Sequence, residues 1–151
     1  LEPGSEAPPF DLEDAAGQRW RLEDLRGLKV ILYFYPADDT PGCTTQACDF
    51  RDNAPALDAG GYQVLGVSPQ GAESHRAFAD KYSLNFPLLI DEDHAVATAY
   101  GAWGEKTNYG KTYEGIIRST FIIDEHGRIV EARYNVRAKG HVDRLLGVLT
   151  G

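Results

Sequence analysis

Residues 28–48 read LKVILYFYPADDTPGCTTQAC, and the reading of this segment decides the fold because a strand hands over to a helix inside it. Leu28 to Tyr35 is a continuous β-branched, aliphatic and aromatic run, the signature of a strand buried on both faces. Pro36 ends it. From about Cys43 the polar and apolar residues fall at helical spacing as far as Pro55, which is expected to stop or kink the helix near Asn53. Both cysteines of the chain, Cys43 and Cys48, lie in this helix with four residues between them. That spacing matches neither a CxxC redox pair nor a metal site with its full ligand count.

Upstream, Phe10-Asp11-Leu12 and Arg19-Trp20-Arg21-Leu22 alternate around Ala15-Ala16-Gly17, which predicts a short hairpin. Downstream, Gly60-Gly61 turns the chain into a second buried strand, Tyr62 to Val67. Gly71 to Tyr82 has the pattern of an amphipathic helix with Phe78 and Tyr82 on one stripe, and Pro87 to Ile90 that of a further strand. His94 to Tyr100 reads as a short helix capped by Asp91 or Asp93. Gly101 to Gly115 shows no period and is expected to be a loop. Ile116 to Ile123 and Arg128 to Asn135 flank Asp124-Glu125-His126-Gly127, a hairpin signal, and Gly140 to Leu149 closes with a helix.

Strand–helix alternation followed by an antiparallel pair describes an α/β fold, a central mixed sheet flanked by helices with an N-terminal hairpin. This is the thioredoxin-like arrangement, in which function sits where a strand hands over to a helix N-terminus. Cys43 lies at such a handover. The chain of 151 residues is the size of one domain spanning 1–151, large enough to bury a core without disulfide staples.

The formal charge of −8 argues against nucleic acid, since a phosphate-binding surface must be basic, and disfavours an anionic membrane for the same reason. The longest apolar run, around Val30 to Phe34, is far too short to cross a bilayer. Two cysteines do not look like a secreted disulfide framework, so a cytoplasmic location is expected. The chain starts at Leu1 and holds no methionine, which leaves a removed targeting segment open.

A thiol attacks only as the thiolate, so its site must supply positive potential. A helix N-terminus does so, worth roughly 0.3–1 kcal/mol at a surface and up to ~2 when partly buried. Pro41-Gly42 makes a tight lead-in that brings backbone N–H groups close to the sulfur. Asp38 and Asp39 work against a thiolate, so either they face solvent or a cation outweighs them. Arg118, inside an otherwise apolar strand, needs an anionic partner, and a thiolate would be one. From the residues alone, Thr40 could equally cap the helix, Pro36 could simply end the strand, and Arg118 could pair with a structural carboxylate. The four histidines, His75, His94, His126 and His141, show no ligand spacing.

Pro36-Ala37-Asp38-Asp39-Thr40-Pro41-Gly42-Cys43 resembles the PxxxTxxC active-site motif of the peroxiredoxins. Residues 33–52, YFYPADDTPGCTTQACDFRD, resemble the bacterioferritin comigratory protein (PrxQ) branch, as do the stretches Trp103 to Lys106, Tyr109 to Lys111 and Arg118 to Asp124. The resemblance runs over nearly the whole chain. It implies that Cys43 is the peroxidatic cysteine, attacking the O–O bond to give a sulfenic acid, and that Cys48 resolves that acid. Thr40 would hydrogen-bond the peroxide or the sulfur, and Pro36 would shield the site from water. Arg118 would stabilise the thiolate and the developing oxyanion, with Gln46 orienting it, so that Thr40, Gly42, Cys43, Gln46 and Arg118 would form the substrate site.

The implied activity is reduction of hydrogen peroxide and organic hydroperoxides, without metal, haem or flavin, by a monomer recycled by thioredoxin or a similar dithiol. Two rivals are a thiol–disulfide oxidoreductase, whose expected CxxC is absent, and a redox sensor whose cysteines only report oxidation.

Overall fold

A computed structural model describes residues 1–150. Gly151, the last residue of the expected 1–151 unit, lies outside the described residues. Near the N-terminus, β1 (Asp11–Glu13) pairs antiparallel with β2 (Arg19–Arg21) as the expected hairpin. Its turn is closed by the Asp14 carboxylate, which accepts the backbone N–H groups of Ala16 and Gln18.

After a 3-10 turn at Leu22–Leu25 come β3 (Lys29–Phe34), α1 (Pro41–Ala59), β4 (Tyr62–Ser68), α2 (Ala72–Tyr82), β5 (Leu88–Ile90), α3 (Ala95–Ala99), β6 (Trp103–Asn108), β7 (Lys111–Ile116), β8 (Ser119–Ile123), β9 (Ile129–Arg133) and α4 (His141–Thr150). Five of the strands form one mixed sheet in the order β5-β4-β3-β8-β9. β3, β4 and β5 run parallel, whereas β8 is antiparallel to both β3 and β9. The central mixed sheet flanked by helices that the sequence predicts is observed, and the structure places β3 at its centre.

The continuous apolar run of β3 is explained by its two faces. Val30, Leu32 and Phe34 point into one core with Leu65, Val67, Phe121 and Ile123. Ile31, Tyr33 and Tyr35 point into the other, against Ala47 and Phe50 of α1, Phe78 of α2 and Val142 and Leu145 of α4. Burying each such side chain contributes about 1.5–3 kcal/mol, so a strand covered on both sides anchors whatever follows it. At the start of α3 both candidate caps act together. Asp93 accepts the N–H of Ala95, and Asp91 accepts those of Val96 and Ala97.

Three expectations are corrected. The helix begins at Pro41, not Cys43, and runs through Pro55 to Ala59 instead of ending near Asn53. Proline removes the donor for the Arg51 carbonyl four residues back, and Asn85 supplies the replacement, its Nδ2 donating to the Arg51 oxygen at 3.1 Å.

The region Gly101 to Gly115 is not a loop. Trp103–Asn108 and Lys111–Ile116 form an antiparallel ribbon, reversed at Tyr109-Gly110, where φ is +53° and +77°. Two consecutive left-handed residues make the tight turn that strand twist favours. Residues 111–114 are exposed, so no buried face imposed a period. Arg118, finally, does not lie within a strand. It sits in the Ile117-Arg118 break between β7 and β8, and its carbonyl accepts the N–H of Val136.

Candidate active site

Because α1 starts at Pro41, Cys43 occupies the third position of its first turn, where backbone N–H groups have no partner within the helix. Proline at the first position gives up no useful donor there, and the turn carries no acidic residue to compete for the positive end. Cys43 is only 1% exposed, and Arg118 reaches it across the sheet. Its Nη2 donates to the Cys43 Sγ at 3.2 Å while its Nη1 donates to Gln46 Oε1 at 2.6 Å. One guanidinium thus bridges the thiol and a residue three positions further along the same helix, which restricts it to one orientation. Gln46 is fully buried, and its Nε2 has no hydrogen-bond partner among the described residues.

The loop between β3 and α1 carries the remaining motif residues. Pro36 is half-buried immediately after the strand. The Thr40 hydroxyl donates to the Ala37 carbonyl at 3.0 Å, and the Thr40 carbonyl accepts the Thr44 N–H at 2.8 Å to open the helix. Thr40 therefore ties its own loop and donates to neither Cys43 nor Arg118. Gly42 is where the guanidinium packs, since a Cβ added there would lie 3.2 Å from Arg118 Nη2. Cys48 is half-buried further along α1, and both cysteines are free thiols.

Neither carboxylate of the loop points at Cys43. Asp38 turns inward to the hydroxyls of Tyr35 (2.6 Å) and Ser74 (2.7 Å) and to His75 Nδ1 (2.6 Å). Asp39, in a left-handed conformation at φ +58°, turns outward to Lys81 Nζ (2.8 Å) and the Tyr82 hydroxyl (2.7 Å). Burial pushes the Asp38 carboxyl up, but hydrogen bonds from His75, Tyr35 and Ser74 outweigh it, and the group stays below the usual carboxylate range. All four α2 partners, Ser74, His75, Lys81 and Tyr82, were missed in the sequence, where a histidine 37 residues from Asp38 shows no spacing signal. Of the two alternatives, Asp39 faces solvent, and the cation at the thiol itself is Arg118.

The β6–β7 ribbon brings a second cation near the site. Burial and then the charge of Arg118 push the Lys106 ammonium down, and Cys43 acts on it in the opposite direction. The aromatic residues of this region do not line a common wall. Tyr100 is core, Trp103 stacks on His94 with ring centroids 3.7 Å apart, and Tyr109 is 97% exposed.

A buried thiol at a helix N-terminus, hydrogen-bonded by a guanidinium that an amide holds in place, is equipped to work as a nucleophile on a substrate that develops negative charge. Comparison with known proteins agrees. Residues 3–132 match the AhpC/TSA family. The chain belongs to that family. A Mycobacterium tuberculosis protein assigned as a peroxiredoxin is 56% identical over 145 residues, 96% of this chain and 92% of that one. Peroxiredoxin Bcp of Escherichia coli is 46% identical over 149 residues, 99% and 96% of the two chains.

Among solved structures, the bacterioferritin comigratory protein of Xanthomonas campestris superimposes with a TM-score of 0.90 at 36% identity, covering 99% of this chain and 98% of that one. Its structures concern an alkyl peroxide reduction activity. The present chain is accordingly a Bcp/PrxQ peroxiredoxin, a thiol-dependent peroxidase of thioredoxin-like fold that takes peroxides and a thioredoxin-like reductant.

Proposed function

We propose that Cys43 is the peroxidatic cysteine of this peroxiredoxin and Cys48 the intramolecular resolving cysteine. The observation that carries the first assignment is the 3.2 Å contact from Arg118 Nη2 to Cys43 Sγ at the start of α1. The Cys43 thiolate attacks the distal oxygen of ROOH, the O–O bond breaks, and RO⁻ leaves to be protonated as ROH while Cys43 becomes a sulfenic acid. Arg118 and the helix N-terminus hold the thiolate and the negative charge that builds on the leaving oxygen.

The unpaired Gln46 Nε2 is a further donor for an oxygen in this space, since a buried donor without a partner costs about 1–3 kcal/mol. Gly42 leaves room for the guanidinium, Thr40 sets the loop that leads into the helix, and Pro36 shields the thiol from water. The Cys48 thiolate then attacks the Cys43 sulfenic sulfur, releasing water and forming a disulfide that an external dithiol such as thioredoxin reduces.

A cavity of about 530 Å³ is lined by Lys106, Ile117 and Tyr134 among others, and Ile117 immediately precedes Arg118. The alkyl peroxide activity of the Xanthomonas protein supports turnover of organic hydroperoxides as well as hydrogen peroxide. Resolution within one chain needs no partner subunit, which supports a monomer acting as a single 1–151 unit. No described helix is long and apolar enough to cross a membrane. The acidic charge of −8 supports a protein that does not act on nucleic acid or on an anionic membrane surface.

Replacing each cysteine separately tests the assignments. Cys43→Ser is expected to lose peroxidase turnover while keeping its fold. Cys48→Ser is expected to undergo the first oxidation and then stall or over-oxidise unless a small thiol is added. Near-normal turnover by Cys43→Ser would move the nucleophile elsewhere, and normal thioredoxin-linked turnover by Cys48→Ser would remove Cys48 from the cycle.

A further inference from the structure

Beside the thiol lies a second buried cluster that the peroxidase chemistry does not use. It joins the loop after β3 to α2 and β5, and at its centre are Asp38, whose side chain is 3% exposed, and His75, which is fully buried. We propose that Asp38 and His75 form a charged positioning pair, in which a proton kept on the His75 ring holds the peroxidatic loop in register for attack on peroxide. The proposal rests on the assignment of Cys43 as the nucleophile and adds two residues to that site.

The protonation state follows from what surrounds the ring. His75 Nε2 lies 2.8 Å from the Leu89 carbonyl oxygen of β5, which can only accept, so this nitrogen must carry a hydrogen. His75 Nδ1 lies 2.6 Å from Asp38 Oδ2. The Asp38 carboxyl already accepts hydroxyl hydrogens from Tyr35 and Ser74, so it is the ionised acid that fits, and Nδ1 must donate as well. A ring donating from both nitrogens is an imidazolium.

A neutral ring would place a lone pair against either a carbonyl or a carboxylate, leaving buried acceptors facing each other. The other titratable group facing the ring is the Tyr35 phenol on β3, whose oxygen is 3.5 Å from Nδ1. Burial, then Tyr33 and Asp38, push the Tyr35 hydroxyl well above the ordinary range, so it remains a neutral donor to Asp38.

The pair acts on the thiol through the loop. Asp38 is held at its side chain by His75 and at its backbone N–H by Gln70 Oε1, 3.0 Å away. The preceding carbonyl, of Ala37, is the acceptor for the Thr40 hydroxyl, and Thr40 opens the helix that carries Cys43. The next residue, Asp39, is anchored separately to Lys81 and Tyr82 at the surface. The dry inner anchor therefore sets where α1 begins, and the imidazolium also cancels the Asp38 charge, which would otherwise disfavour a thiolate nearby. Deprotonating the ring removes one of its two donors and loosens the anchor. A displacement of about 1 Å at a reacting group costs up to about 100-fold in rate.

The test reads the ring and the rate in the same chain. Nitrogen-15 NMR of the intact reduced protein is expected to show both His75 ring nitrogens protonated at neutral pH. Stopped-flow oxidation of Cys43 by hydrogen peroxide is expected to slow on the alkaline side in step with loss of that proton. His75→Gln should lack this alkaline limb and react about 10- to 100-fold more slowly near neutrality. Asp38→Asn should lose a similar factor, and the double variant little more than either alone, because both changes break one interaction. A neutral His75 ring in a protein that reacts with peroxide, an alkaline limb that persists in His75→Gln, or losses that simply add would each overturn the pair. Absence of any reaction in the wild-type protein would instead overturn Cys43 as the nucleophile, and the ring measurement, which needs neither turnover nor a variant, separates the two failures.

Discussion

Arg118 is placed by geometry as well as by charge. Its two terminal nitrogens are committed to Cys43 and Gln46, so the guanidinium is oriented before any peroxide arrives. Removing a preorganised donor of this kind costs about 10²–10³ in rate, and Arg118→Met is expected to slow peroxide oxidation of Cys43 by that factor in stopped-flow measurements. A loss of less than a few-fold would reduce Arg118 to a packing role. Gly42→Ala is a finer probe. The new Cβ would sit 3.2 Å from Arg118 Nη2 and 3.6 Å from the Ala138 Cβ, and the guanidinium cannot yield without loosening a contact to Cys43 or Gln46. Alanine in a helical turn is otherwise favourable by up to about 1 kcal/mol over glycine. The variant should therefore keep or gain stability to urea while its peroxide oxidation slows several-fold; parallel changes in both would mean that the site had simply come apart.

At the scale of elements, the decisive fact is that both cysteines lie on one uninterrupted helix, Pro41–Ala59. Five residues of α-helix give a rise of about 7.5 Å and a turn of about 140°, which sets the two Cα atoms about 8.6 Å apart. A disulfide tolerates no more than ~7 Å and needs side chains that face each other. The bond cannot form on the helix as it stands, so resolution must unwind at least the turn from Thr44 to Cys48. Amides from Thr44 to about Arg51 are expected to lose hydrogen-exchange protection when the Cys43–Cys48 disulfide forms, while those of Lys29–Phe34 keep theirs. Unchanged protection across α1 in the confirmed disulfide form would refute the opening. β3 stays because it is covered on both faces. The anchors at Asp38 and Asp39 lie upstream of the unwinding turn and hold the loop to α2.

Over the whole molecule, acid stability is expected to depend in part on a buried histidine of α4. His141, at the start of α4, is buried, and its Nε2 lies 2.9 Å from the Thr120 hydroxyl. Burial, followed by the charges of Arg144, Arg133 and Arg118, lowers its pKa from 6.5 to about 4. Between those values the unfolded chain binds a proton that the folded chain refuses. Stability is thus fully present above about 6.5 and falls as the pH drops toward 4. The contribution is of order 1–2 kcal/mol once solvent screening is counted. Urea midpoints should fall from pH 7 to pH 4.5, and His141→Gln should flatten that slope; an equal slope in the variant would show that other groups carry it. Asp38 acts lower on the scale. Its depressed carboxyl supports the fold above the unfolded value of about 3.9 and withdraws that support only as the pH falls further.

What the amino-acid order settled by itself was whatever depends on near neighbours or on burial that leaves a local trace. The run from Leu28 to Tyr35 is apolar at every position because both of its faces are covered, and Pro41-Gly42-Cys43 places a thiol at a helix start because proline and glycine constrain the backbone locally. Those two readings, with the strand–helix alternation of the rest of the chain, were enough for the fold and for a candidate nucleophile. Tertiary structure decided the rest, because the partners are brought together only by folding. Arg118 meets Cys43 across 75 residues of chain, Asn85 replaces the donor that Pro55 lacks, and His75 answers the charge of Asp38. The β6–β7 ribbon was invisible for the opposite reason. Its outer strand is exposed on both sides, and without a buried face there is no alternation for a sequence to display.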